Sequence, residues 1–114
     1  SPFAFIITIA RPQTCIEKKA VCEKLMAGLQ DALDYIHANP EGAYAVRRRK
    51  LPEMDPELMR QAMNTMLLAI PRSTETKPEA LETAQNFGIT GGMMESSERI
   101  ADWRPIIDNS FTRR

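Results

Sequence analysis

The apolar positions fall in two patterns along the chain. The opening stretch SPFAFIITIA is apolar at most positions from Phe3 to Ala10, and Ile6, Ile7 and Ile9 are β-branched. A short continuous run of that kind, closed by Arg11-Pro12, predicts a buried strand over residues 2–10. From Glu17 the period changes. Val21, Cys22, Leu25, Leu29, Leu33 and Ile36 recur at steps of three and four, with Glu23, Lys24, Gln30, Asp31 and Asp34 between them. This predicts a long amphipathic helix over about 17–38.

Three further helices follow from their start and stop signals. Asn39-Pro40 ends the long helix and opens a second, over about 40–50, in which Ala43, Val46 and Arg47 share a side. Asp55 as N-cap, Pro56 in the first turn and Glu57 near the positive end of the helix dipole predict a third, over about 55–70. Its inward side is expected to hold Leu58, Met59, Ala62, Met63, Met66, Leu67 and Ile70. Pro78 starts a fourth, over about 78–87, with Ala80, Leu81, Ala84, Gln85 and Phe87 inward and Gly88 as its C-cap. A short terminal element over 103–107 is expected to be held by Trp103, Ile106, Ile107 and Phe111.

The result is one strand followed by four to five helices: an α/β pattern, predominantly α, in a single partial domain, 1–114. A lone apolar strand leaves its backbone donors and acceptors unpaired. It must pair either with a second copy or with polypeptide outside these residues.

Composition narrows the function classes. The 114 residues support a modest core, and Lys plus Arg balances Asp plus Glu at 15 each. No net field favours nucleic acid or an anionic membrane, and no apolar run approaches the ~20 residues of a bilayer span. No basic segment and cleavage site precede the first strand, so either a cytosolic protein or a chain lacking its start is expected. Two cysteines on one helix, seven residues apart, would be separated by roughly 10 Å along the axis, too far for a disulfide. Cys22 then reads as a small core residue. Cys15, Cys22 and His37 are too few ligands for a metal site, and no cofactor is implied.

The candidate chemistry is sparse. His37, the one histidine, sits near a helix end, where imidazolium suits the dipole. Ser96-Ser97 has no histidine base near it in sequence. The run RRRK, 47–50, reads as a solvated helix C-terminus and not as a nucleic-acid contact. GITGG neither follows a strand nor opens a helix, so the dinucleotide and phosphate-loop fingerprints fail. No enzyme is expected.

The order of segments nevertheless resembles a known family. Ala38-Asn39-Pro40-Glu41 at the end of the long helix, the Pro52-to-Pro56 step in LPEMDPELMRQAM, the KPEALETAQNFGI helix, and Ile106, Ile107, Asp108, Ser110 and Phe111 in the closing WRPIIDNSF are its marks. Together they resemble the C-terminal part of ABC-transporter substrate-binding proteins of the nitrate, sulfonate, taurine and pyrimidine-precursor type. The resemblance implies the last third of a type II periplasmic binding protein fold, a strand re-entering one lobe and the helices that cover it. It implies periplasmic or extracytoplasmic capture of a small-molecule solute for an ABC permease by hinge closure, with no bond made or broken.

Within this stretch, Phe3 and Phe5, near the hinge end of the strand, are the candidate ligand contacts. If the chain is stable alone, a homodimer through strand 2–10 is expected. Two alternatives stand beside this reading: the ligand domain of a transcriptional regulator, and a free-standing helical interaction module. Related proteins that build the thiamine pyrimidine use histidine chemistry with no counterpart here.

Overall fold

The computed structural model describes residue 4 and residues 6–112. Five α-helices occupy them: α1 (Pro12–Glu17), α2 (Lys19–Ala38), α3 (Pro40–Lys50), α4 (Pro56–Ala69) and α5 (Pro78–Thr90). Single 3-10 turns follow at Ser96–Glu98 and Arg104–Ile106. No strand occurs among the described residues, so the expected α/β fold with an N-terminal strand is corrected to an all-helical one. Residues 7–10 run without regular structure, and Ile6 and Ile9 are 86% and 83% exposed. In the opening stretch, Ala4 N–H donates to the Ala80 carbonyl at 3.1 Å. β-Branched composition favours an extended backbone, but a strand exists only when a neighbour takes its donors and acceptors.

Helix starts lie where local chemistry puts them. The Asn39 side chain accepts from Gly42 N–H at 2.9 Å, with Pro40 in the first turn of α3. Asp55 does the same for Leu58 N–H ahead of Pro56 in α4. Each bond satisfies one of the amides that a helix start leaves open.

Two boundaries differ from the sequence reading. The first is a break at Lys18, whose backbone leaves helical geometry at φ −119° and ψ 47°. Cys15 therefore sits on α1 and Cys22 on α2. Neither is a free thiol; both are disulfide-bonded. The axial separation that argues against a bridge applies only to one straight helix, and that condition fails here. The second is at α5, which runs through Gly88 and stops at Gly91. Gly92 takes the left-handed conformation at φ 75°, and Met93 N–H returns to the Gly88 carbonyl at 2.9 Å. A glycine at positive φ ends the helix, and Gly88, at ordinary helical geometry, does not.

The chain forms two compact units, residues up to Ala20 with Glu75–Phe111, and Val21–Thr74 with the residues from Thr112 on. The second unit holds the apolar core: Ala43 of α3 against Met59 and Met63 of α4, flanked by Ile36, Tyr44 and Met54. Among the described residues, Met59 is the one large side chain fully removed from solvent. Around this core, Tyr44 Oη donates to the Pro56 carbonyl at 3.1 Å, and the Arg60 guanidinium lies 3.8 Å above the Tyr44 ring. Gln30, buried on α2, donates from Nε2 to the Arg72 carbonyl at 2.7 Å and to Asp34 at 2.9 Å. Its Oε1 accepts from Thr74 N–H.

In the first unit, buried Gln85 of α5 holds both backbone groups of Ile100. It donates to the carbonyl at 3.0 Å and accepts from the N–H at 2.7 Å. Asn109 pairs with Thr76 in the same two-way manner, each bond 2.9 Å long. Phe87 and Ile106, expected inward, are exposed. Amides that mimic the backbone thus tie down the C-terminal segment where the sequence suggests apolar side chains alone.

Candidate functional site

The expected ligand contacts, Phe3 and Phe5, lie outside the described residues, so the structure places neither. Each remaining polar candidate has a local task. His37 donates from Nε2 toward the carbonyls of Ile70 (3.0 Å) and Pro71 (3.1 Å), closing the end of α4. That use requires the proton on Nε2 and leaves the ring as a positioning group for the turn.

In the basic run, Arg48 Nη1 donates to the Met54 carbonyl at 2.7 Å, and Arg47 points at the Met66 sulfur at 2.9 Å. Arg48 thus folds back over the turn after α3 and Arg47 reaches across to α4; at a helix C-terminus such cations also complement the dipole. Ser96 and Ser97 sit in a 3-10 turn capped reciprocally by Glu95 and Glu98, with Glu95 N–H donating to Glu98 Oε1 at 2.8 Å. No group of three or more His, Cys, Asp or Glu side chains able to hold a metal occurs among the described residues. No described helix is long and apolar enough to cross a membrane.

The perturbed acids are C-terminal. Asp102 accepts from Arg104 Nε at 2.8 Å and Arg104 Nη2 at 3.0 Å, and from the Arg104 N–H at 3.1 Å. The side-chain hydrogen bonds, then the backbone one, hold its carboxyl below the ordinary range. Asp108 is lowered in the same sense by Ser110, first through its side-chain hydroxyl and then through its N–H, which donates to Oδ1 at 2.8 Å. A depressed folded value stabilises above the unfolded value and is lost as pH falls through the folded one. Both turns should therefore hold at neutral pH and loosen only below about pH 4. Carboxyl NMR titration should give Asp102 a midpoint below that of an unfolded aspartate, and an ordinary midpoint would contradict the bidentate pair.

What remains is apolar surface. Along α2, Val21 is 60% and Leu25 50% exposed, and Gly28, Leu29, Ala32 and Tyr35 are exposed beyond them. These positions belong partly to the stripe that the sequence assigns to a core. In the folded chain only Cys22 and Gln30 of α2 are buried. The sequence does signal this surface, since apolar residues at 21, 25 and 29 are legible, but their exposure is not. Compared with family models, curated proteins and solved structures, the chain finds no match.

Proposed function

We propose that the chain is a helical portion of a solute-binding protein that captures a small molecule outside the cytoplasm and delivers it to an ABC permease. The observation that carries this reading is the uncovered N-terminal segment. Ile6 and Ile9 stand almost fully in solvent, an arrangement that costs apolar surface and is relieved by packing on further polypeptide. Support also comes from the helix junctions. Asn39-Pro40 and Asp55-Pro56, marks of the resemblance, are the working caps of α3 and α4. Binding, not turnover, is the activity expected, because the polar candidates are engaged in capping and loop closure.

The test is a thermal-shift screen of the protein from the entire reading frame, with nitrate, taurine, an alkanesulfonate and an aminopyrimidine as probes. A true ligand at a hundredfold its dissociation constant stabilises by about 2.7 kcal/mol, enough to raise the melting temperature by several degrees. No shift with any of the four overturns the reading.

A second reading, a helical interaction module, is favoured by the exposed face of α2. It predicts association with protein and no solute-dependent shift.

A further inference from the structure

We propose that the exposed face of α2 is a self-association surface, on which a second copy of this chain packs antiparallel with its large residues over the small ones. The proposal does not depend on which solute, if any, the protein binds.

Val21, Leu25, Gly28 and Ala32 follow one another at steps of four, three and four. Alternating steps of four and three are the heptad spacing that keeps one seam facing a partner helix. All four are exposed, and beyond the adjacent residues and the backbone of α2 itself no atom lies within 4 Å of where a Cβ on Gly28 would stand. The order along the seam is large, large, small, small. Reversed in an antiparallel partner, it sets Val21 against the second copy's Ala32, and Leu25 against its Gly28. The same two contacts recur in reverse. Every layer is then one large and one small side chain, the condition for close approach of two helices.

A two-fold axis between residues 26 and 27 generates the pairing, and a self-complementary patch is what a two-fold interface requires. Charge selects the register. Lys24 and Asp31 are exposed on the same flank of the seam, one turn on either side of Gly28. In the register just described, Lys24 of each copy lies beside Asp31 of the other, giving two opposite-charge contacts. Sliding the partner by one heptad sets Leu25 against Tyr35, Gly28 against Ala32, and the two Asp31 carboxylates against each other. A parallel arrangement sets Gly28 against Gly28, leaving a void, and puts Lys24 beside Leu29 of the other copy, with no opposite charge to meet it. Leu29 borders the seam on the other flank, where no charge opposes it. The seam is short compared with interfaces of ~1,200–2,000 Å². Association is therefore weak and depends on protein concentration.

Sedimentation velocity of the full chain from micromolar to millimolar concentration tests it. The wild type should pass from monomer to dimer within that range. Gly28→Leu fills the hole and should weaken association by roughly tenfold or more. It should also keep or raise the helical signal, because a helix-interior glycine is replaced at a site with open space. Lys24→Glu and Asp31→Lys should each associate less than wild type, and their equimolar mixture should recover, since each supplies the charge the other lost. A wild type that stays monomeric throughout, a Gly28→Leu dimer as tight as wild type, or a mixture no tighter than its components would each overturn the proposal.

Discussion

Replacing Met59 by alanine should lower the unfolding free energy by about 2–5 kcal/mol, the largest single-residue loss expected in the molecule. Met59 is completely removed from solvent, and it sits where α4 meets Ala43 of α3, with Met63 one turn further along. Truncation loses the transfer free energy of three heavy atoms and leaves a void that neighbours fill only in part. Ile36, Tyr44 and Met54 cannot all move in, because Tyr44 is anchored at both ends. Its hydroxyl bonds Pro56, and its ring lies under Arg60. A total stability of ~5–15 kcal/mol is usual for a domain, so this loss is a large share of it. Urea unfolding followed by circular dichroism measures the change. Met59→Leu, close in volume, should cost less than about 1.5 kcal/mol and serves as the control. If Met59→Ala loses less than Met59→Leu, the core does not lie where α3 and α4 meet.

The second large effect concerns Gln85. Changing it to glutamate keeps size and shape but turns the donor that faces the Ile100 carbonyl into a second acceptor. The bond from Ile100 N–H survives; the one to its carbonyl becomes a repulsion between oxygens in a buried site. At pH 7 the variant should lose about 3 kcal/mol, the sum of a lost hydrogen bond and the desolvation of a carboxylate. The loss should be pH-dependent. Burial raises the folded value of the new carboxyl above the ~4.3 of an unfolded glutamate, so the folded state binds the proton more tightly. Stability then recovers as pH falls toward the unfolded value, where the protonated acid again donates to the Ile100 carbonyl. Thermal melts of wild type and Gln85→Glu between pH 4 and pH 7 check both sign and window, with the gap narrowing toward the acid end. A gap that is constant across the range would place Gln85 in a solvated setting.

Legibility varied with the range of the physics involved. The starts of α3 and α4 are readable because a cap is a contract between residues three apart. Asn39 with Gly42, and Asp55 with Leu58, need nothing from elsewhere. The inward placement of Met59, Met63 and Ala43 follows from helical period. The same period misleads at Phe87, and at Val21 and Leu25, which share an apolar stripe yet remain in solvent. A stripe states which side would bury, not whether a partner is present to bury it. The candidate site was less legible still. Phe3 and Phe5, which lie outside the described residues, rested on a strand that does not occur among those residues. The polar residues His37 and Arg48 turn out to hold carbonyls of turns distant in sequence.

By itself the sequence determined the helical segments of residues 19–90, their proline and acid starts, and the apolar core at the α3–α4 contact, because these depend on spacings within one or two turns. Only the tertiary structure decided that residues 6–10 form no strand and that the chain breaks at Lys18. It also decided that Gln30, Gln85 and Asn109 secure backbone far along the chain. Each of these outcomes depends on which donor, acceptor or apolar face arrives from a remote position, and periodicity carries no record of that arrival.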